Sequence, residues 1–388
     1  MARQIRFITD DAIREKREVK KRKVEEDLLT ILQEKHLLSD DRYLERLEDE
    51  LFQTENVIDF ANVDLSPIKD TLDAVKAEIS KVIVGQEDIV KQTIIALFAD
   101  AHALLEGLPG LAKTLLVSTI SYVLDLRFKR VQFTPDLMPS DISGAQILEE
   151  DLETGRKKFV FRPGPVFTNL LLADEINRSP PKVQASLLEA MQERSVTVGG
   201  TTHILEKPFL VLATQNPVEQ QGTYPLPEAQ MDRFMFKIVV DYPTTKEEDV
   251  ILDRLVSGED RKVEKVMSKE NILELQDVVK QVPVPENIRR YIVRLVDMTR
   301  PKHELANDAV KKYVDYGAGP RALTCLLQAA RVNALLRGSP VVNIYDVKSI
   351  VRPVLRHRIA LNYEADTDNV TEEDMFQSLF KSAKAYEN

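Results

Sequence analysis

Gly107-Leu108-Pro109-Gly110-Leu111-Ala112-Lys113-Thr114 has the residue types and spacing of a loop that holds phosphate. Small residues let backbone N–H groups turn inward onto phosphate oxygens, and a helix opening at Lys113 adds its dipole. Lys113 then reaches the β and γ phosphates of a nucleotide, and the Thr114 hydroxyl serves a magnesium ion. The general pattern has glycine where Ala112 stands. Its methyl is tolerable if that residue takes right-handed helical dihedrals. Further on, Asn169-Leu170-Leu171-Leu172-Ala173-Asp174-Glu175 reads as an apolar strand ending in two carboxylates. At the strand tip Asp174 suits a magnesium shell, and Glu175, pointing to the other side, suits polarising a water for in-line attack. Alone, Asp-Glu after a strand is also a common helix opening. Behind a phosphate loop it reads as metal ligand and base.

These side chains need a frame of strands and helices. From Gly85 to about Pro243, short β-type runs at 103–106, 128–133, 170–174, 209–214 and 235–240 alternate with helical stretches at 87–100, 113–124 and 181–193. Ser179 is the expected cap of the last of these. That alternation predicts a three-layer α/β domain on a parallel sheet. After Pro243 strands are no longer expected, and 244–255, 269–280, 288–298, 321–336 and 345–356 read as helices. Ahead of Gly85 there is no glycine. Residues 1–75 carry 13 Lys/Arg and 19 Asp/Glu with four aromatics, enough for helices and too apolar-poor for a large core of their own. Leu28, Ile31 and Leu32, then Leu44, Leu47 and Leu51, recur at helical spacing, and Ser66-Pro67 reads as a cap and first turn. Ile68, Leu72, Val75, Ile79 and Val82 form one apolar stripe. The expected division is a charged helical extension over 1–66, a nucleotide-binding domain over 67–243 and a helical domain over 244–388.

The 388 residues hold 53 Lys+Arg against 63 Asp+Glu, a net charge of −10, which disfavours a generally basic nucleic-acid binder. The single cysteine, Cys325, excludes an intramolecular disulfide and a multi-cysteine metal site and fits a reducing compartment. No apolar run approaches the roughly 18 residues of a membrane span. The charged N-terminus lacks a signal-peptide core. A soluble, cytoplasmic protein is expected. His36, His102, His203, His303 and His357 show no metal-ligand spacing, and His203 reads as a solvated strand residue. Seven Lys/Arg in residues 14–23, interleaved with Glu15 and Glu18, read as a solvated helix face.

Four blocks in order resemble the MoxR-type AAA+ ATPases: residues 107–114, Leu171-Leu172-Ala173-Asp174-Glu175-Ile176-Asn177-Arg178, Ala213-Thr214-Gln215-Asn216-Pro217, and residues 222–234 ending Asp232-Arg233-Phe234. The likeness runs from about Val84 to Leu361, and the alanine at 112 is the form this family uses. It implies an AAA+ three-layer domain followed by an all-α lid, ATP and Mg²⁺ as ligands, and hydrolysis in a homo-oligomeric, usually hexameric, ring. It further implies remodelling, maturation or metal-cofactor insertion of a protein client, often with a partner that has a von Willebrand factor A domain. Asn216 matches the sensor that orients the attacking water, although unaided it reads as well as a turn former before Pro217. Arg233 matches the arginine finger directed at a neighbour's nucleotide; without the resemblance it is a surface arginine. Gly317-Ala318-Gly319-Pro320-Arg321 resembles the second sensor, with Arg321 acting on its own or the neighbour's nucleotide. Val84-Gly85 resembles the segment against the adenine. Residues 143–165, strand-like at 146–148 and 158–161 around Glu153-Thr154-Gly155, resemble the helix-2 insert. Residues 195–205, with Gly199-Gly200 at the turn, resemble the hairpin before the first sensor. In related rings both face the central pore.

Two other function classes are open to such a chain: a helix-2-insert motor on nucleic acid or in a chelatase, and a nucleotide-gated scaffold without turnover. The acidic balance and the uncharged 196–203 hairpin stand against strand tracking, which needs Lys/Arg at phosphates. Glu175, Asn216 and Arg233 together stand against the scaffold.

Overall fold

The computed structural model describes Phe60 and residues 63–150, 157–217, 222–258 and 261–384. The stripes between Leu28 and Leu51, the basic run at 14–23 and the Glu153-Thr154-Gly155 turn lie outside the described residues. Helix α1 (Ser66–Val82) buries Ile68, Leu72, Val75 and Ile79, the stripe that its spacing predicts. Its cap differs from the expectation: Ser66 is already helical, and its N–H is held by Asp64 Oδ1 at 2.9 Å. Phe60 and Leu65 join the same core, ahead of the boundary expected at residues 66–67.

Helix α2 (Glu87–Phe98) leads into β1 (Ala103–Gly107), α3 (Lys113–Val123) and β2 (Phe128–Gln132). A short α4 (Pro139–Ser143) precedes the antiparallel hairpin of β3 (Gly144–Glu150) and β4 (Lys157–Pro163). Then come β5 (Leu170–Asp174), α5 (Pro181–Glu193), the hairpin of β6 (Ser195–Val198) and β7 (Thr201–Ile204), β8 (Leu210–Gln215), α6 (Glu228–Met231) and β9 (Phe236–Val240). Five strands form one parallel sheet in the order β2-β5-β8-β1-β9. Side chains alternate between two buried faces: Leu170 and Leu172 join the core with α1, α2 and α3, while Leu171 and Ala173 join the core with α5. A parallel sheet covered on both sides explains why its strands read as continuous apolar runs. Gly199 and Gly200 both have positive φ, 58° and 81°, which the two-residue turn requires.

Ser179 does not cap α5. Pro180 is the cap residue, and the Ser179 hydroxyl donates instead to the Ile176 carbonyl at 3.2 Å, closing the 3-10 turn Ile176–Arg178.

The C-terminal region comprises α7 (Thr245–Ser257), α8 (Lys269–Gln281), α9 (Glu286–Asp297), α10 (Asp308–Tyr313), β10 (Val314–Tyr316), α11 (Pro320–Leu336), α12 (Ile344–Lys348), α13 (Val351–Leu355), β11 (Ala360–Leu361), α14 (Tyr363–Thr367) and α15 (Glu372–Ala383). Two expectations change here. Strands do not vanish, because β10 and β11 pair antiparallel. The single helix expected over 345–356 is two, since Pro353 has no N–H for an interior helical bond and sits instead in the first turn of α13. The α/β and helical regions share one continuous core, and α13 lies against the edge strand β9.

Candidate active site

The phosphate-loop residues follow β1, an interior strand, at its C-terminal end. Gly107 is required by packing: a Cβ there would lie 2.5 Å from the Val240 carbonyl oxygen on β9. Leu108 and Leu111 anchor the loop in the core, while Pro109 and Gly110 are exposed. Gly110 has φ 85°, and a Cβ there would meet nothing within 4 Å, so the loop's crest faces open space. Ala112 departs from the sequence expectation. It takes the left-handed conformation (φ 54°, ψ 22°), not the right-handed one, as the cap of α3. For a residue with a Cβ this costs about 1–2 kcal/mol. Among the described residues seven non-glycine positions have positive φ, and three of them, Gln86, Ala112 and Glu175, flank the candidate site. Such strain persists where the surroundings over-determine it, and it concentrates at functional sites.

The Lys113 ammonium donates to the Gly107 carbonyl, folding back over the loop. Burial pushes its pKa down, and the Asp174 and Glu175 carboxylates pull it back up. Thr114 follows in the first turn of α3, half-buried. Asp174 ends β5, beside the strand that ends at Thr214 and Gln215. Its Oδ1 accepts from the Thr214 hydroxyl at 2.6 Å, and its Oδ2 accepts from Arg130 Nη2 at 2.6 Å and Nε at 3.0 Å. The same Thr214 oxygen accepts the Glu175 N–H at 2.8 Å, so one buried hydroxyl sets both carboxylate residues. Glu175 Oε2 is held by Gln132 Nε2 at 2.7 Å and Arg178 Nη1 at 2.9 Å. Asn216 is buried immediately after β8, and its carbonyl accepts from Asn177 Nδ2 at 3.5 Å. Val84-Gly85 lies where α1 meets α7. A Cβ on Gly85 (φ 64°) would overlap the Glu247 carboxylate, and the Arg254 guanidinium donates to the Ser80, Lys81 and Val82 carbonyls.

Lys113, Thr114, Asp174, Glu175 and Asn216 thus share the C-terminal ends of β1, β5 and β8. Arg233 and Arg321 do not. They sit at the opposite end of the sheet, where Met235, opening the approach to β9, donates to the His102 carbonyl before β1. From Ala103 to Gly107, paired with Phe236 to Val240, the sheet spans about 13 Å, four strand steps of about 3.3 Å. Arg321, in the first turn of α11, pairs with Asp232 Oδ2 at 3.4 Å. Arg358 holds the other Asp232 oxygen at 2.7 Å. The Arg233 side chain makes no hydrogen bond or ion pair among the described residues and is half-exposed.

Sequence reasoning missed Arg130, Gln132, Thr214 and Arg358. Arg130 and Gln132 carry a readable signal, polar residues two apart at the end of a short β run, hence on one face of one strand. Arg358 carries none, since its partners are distant in the chain. The His203 reading is corrected: its ring stacks on Phe161 at 3.9 Å with 13° between planes, joining the β6–β7 hairpin to the β3–β4 hairpin. Gly199 packs against the Gln146 side chain at the same junction. His102 and His357 are buried and structural. No group of three metal-ligating side chains occurs among the described residues, and none of their helices is long and apolar enough to cross a membrane.

The ATPase family associated with various cellular activities (AAA) matches residues 102–236, and the AAA lid domain matches residues 306–379. Chaperone MoxR1 of Mycobacterium tuberculosis is 45% identical over 303 residues, 78% of this chain and 79% of that protein. YeaC of Bacillus subtilis is 41% identical over 79% of this chain and 92% of its own length. Protein MoxR of Methylorubrum extorquens is 31% identical over 83% and 97%. A crystal structure of a protein assigned as an ATPase, from Cytophaga hutchinsonii, superposes with a TM-score of 0.76 at 42% identity, covering 82% of this chain and 96% of that one.

Proposed function

The chain belongs to the MoxR-type AAA+ ATPases and hydrolyses ATP, and from that premise we propose a two-part active site completed between subunits of a homo-oligomeric, hexameric ring. In this reading the backbone of residues 107–112 and Lys113 bind the phosphates, and Val84-Gly85 lines the adenine side. Thr114 and Asp174 are the residues that would hold Mg²⁺. The donor set suits a hard cation, a hydroxyl and a carboxylate oxygen, and the open crest at Gly110 leaves room for phosphate. Bound there, the ion supplies charge neutralisation at the phosphates. Glu175 takes the proton of the attacking water, Asn216 orients that water, and Arg233 and Arg321 face the neighbour's γ-phosphate. Arg130 and Gln132 orient Asp174 and Glu175.

The observation that carries this reading is the separation of Lys113 from Arg233 and Arg321 by more than a strand's length within one chain. An arginine that offsets transition-state charge must reach the phosphate, and these two reach it from a second subunit. Arg321, tied to Asp232 beside Arg233, belongs with that pair and so acts in trans. Mixing Arg233→Ala with Lys113→Ala subunits, each inactive alone, should restore activity at the roughly one-quarter of ring interfaces that join an intact loop to an intact finger. Mixed rings without activity would overturn the reading.

The work of the ring is the remodelling or maturation of a protein client in the cytoplasm, through a partner with a von Willebrand factor A domain. Support comes from the hairpins. Leu148 and Phe159 face each other across β3 and β4 and are 55% and 70% exposed, apolar handles suited to polypeptide. Among the described residues, the insert's basic side chains are matched by acids: Lys158 opposes Glu149, Lys157 opposes Glu150, and Arg162 bridges Glu149 at 2.8 Å. Such a surface offers no cationic track for nucleic acid. Residues 1–59 precede this body, and we assign them to recruitment or regulation.

A further inference from the structure

Arg358 belongs to the lid, just beyond α13, and takes no part in the roles above. Its side chain is 1% exposed. All five of its N–H donors are engaged. Nε donates to Asp232 Oδ1 at 2.7 Å, Nη2 to the carbonyls of Asp232 at 2.9 Å and Phe234 at 2.7 Å, and Nη1 to the carbonyls of Met235 at 3.1 Å and Val354. Four of these five acceptors lie on residues 232–235, more than 120 positions earlier in the chain. The Phe234 carbonyl also meets His357 Nε2 at 3.0 Å. Beyond this clamp, Asp232 Oδ2 reaches out to Arg321.

A buried guanidinium is costly to desolvate, and an apolar residue of similar volume would often hold the fold as well. What a planar fork adds is simultaneous, directional control of a carboxylate and three carbonyls, which a lysine cannot reproduce. The segment so controlled carries Arg233. We propose that Arg358 is a positioning residue for ATP hydrolysis, fixing Arg233 through the backbone of residues 232–235 and Arg321 through the Asp232 carboxylate. The lid of each subunit thereby sets the geometry of both arginines that it offers to its neighbour. This rests on the reading that Arg233 acts in trans. A displacement of about 1 Å at such a group costs on the order of 100-fold in rate.

The test is a set of mixed rings, scored by ATPase rate with nucleotide binding and assembly measured alongside. Arg358→Lys subunits should bind ATP within about twofold of wild type and lose on the order of 100-fold in turnover. Mixed with Lys113→Ala subunits, which bring intact fingers, they should regain activity; mixed with Arg233→Ala subunits they should not. A residue that only supports its own subunit's fold or nucleotide site gives the reverse pattern, because Arg233→Ala partners then supply working sites, and that result overturns the proposal. Failure of the Arg233→Ala and Lys113→Ala control pair overturns the trans reading itself and is seen separately. Arg358→Lys subunits that cannot join rings would mark a folding residue and also overturn it. Asp232→Asn, which keeps the backbone clamp, must show the same partner preference at smaller amplitude, and rescue by both partners or by neither contradicts the assignment.

Discussion

At the C-terminal ends of β1, β5 and β8 each candidate side chain lies within a few residues of a strand of the sheet, whereas at the other end the segment that carries Arg233 is hydrogen-bonded by Arg358, 126 positions beyond Asp232. The first region is set by the left-handed turns at Ala112 and Glu175 and by side chains on the adjoining strands, Thr214 on β8 and Arg130 and Gln132 on β2. The second is set by a buried lid residue reaching across to the start of β9. In the proposed reading the difference is that one subunit carries the nucleotide-binding half of the site, while the arginines offered to a neighbour answer to the lid. It also separates the kinds of damage that substitutions at each end should do.

The largest effect belongs to the nucleotide end. Glu175→Gln keeps the shape, the Gln132 contact and the turn, and removes the proton acceptor. Turnover should fall by about 10²–10⁴-fold, the usual worth of a general base, with ATP affinity retained. Steady-state rates and equilibrium binding on the same preparation check this. Turnover near wild type would reduce Glu175 to a turn residue and break the comparison at its first term.

A smaller effect sharpens the second term. Among the described residues the two buried histidines, His102 and His357, lie at the Arg233 end. His102 accepts the Val211 N–H at 2.9 Å, sits 3.1 Å from the Met191 carbonyl and receives the Met235 N–H on its own carbonyl, and His357 contacts Phe234. Burial holds both pKa values well below the ordinary 6.5. Unfolding therefore takes up protons as pH falls below about 6.5, and stability present above that pH is lost on acidification, by up to about 1.4 kcal/mol per pH unit for each histidine. Urea midpoints at pH 7.5 and 5.5 should show the loss. His102→Asn should be weaker at pH 7.5 yet fall less between the two. An equal fall in both proteins would remove His102 from the account.

Legibility in the sequence follows the same divide. The strands at 103–106 and 170–174 and the helix at 181–193 were readable because a doubly covered parallel sheet writes short apolar runs between helical stretches. Lys113, Asp174 and Glu175 stand out in the sequence as candidates because phosphate and magnesium chemistry demands fixed types at fixed spacing. The left-handed dihedrals of Ala112 do not, since alanine carries no mark of positive φ. The break at 349–350 turns on Pro353, which lacks the N–H of an interior helical bond and takes a first-turn position in α13. His203 looked solvated because its partner, Phe161, lies on another hairpin. Arg358 looked like any lid arginine, because burial and five acceptors are properties of the packed chain.

The central claim is that one chain holds only half of the hydrolytic apparatus. Its most direct test is the wild-type ATPase rate per subunit across a dilution series, with the oligomeric state measured at each concentration. The rate should track the assembled fraction and collapse as subunits separate, while nucleotide binding by the separated subunits persists. A rate per subunit that stays constant after the subunits have separated would contradict the account.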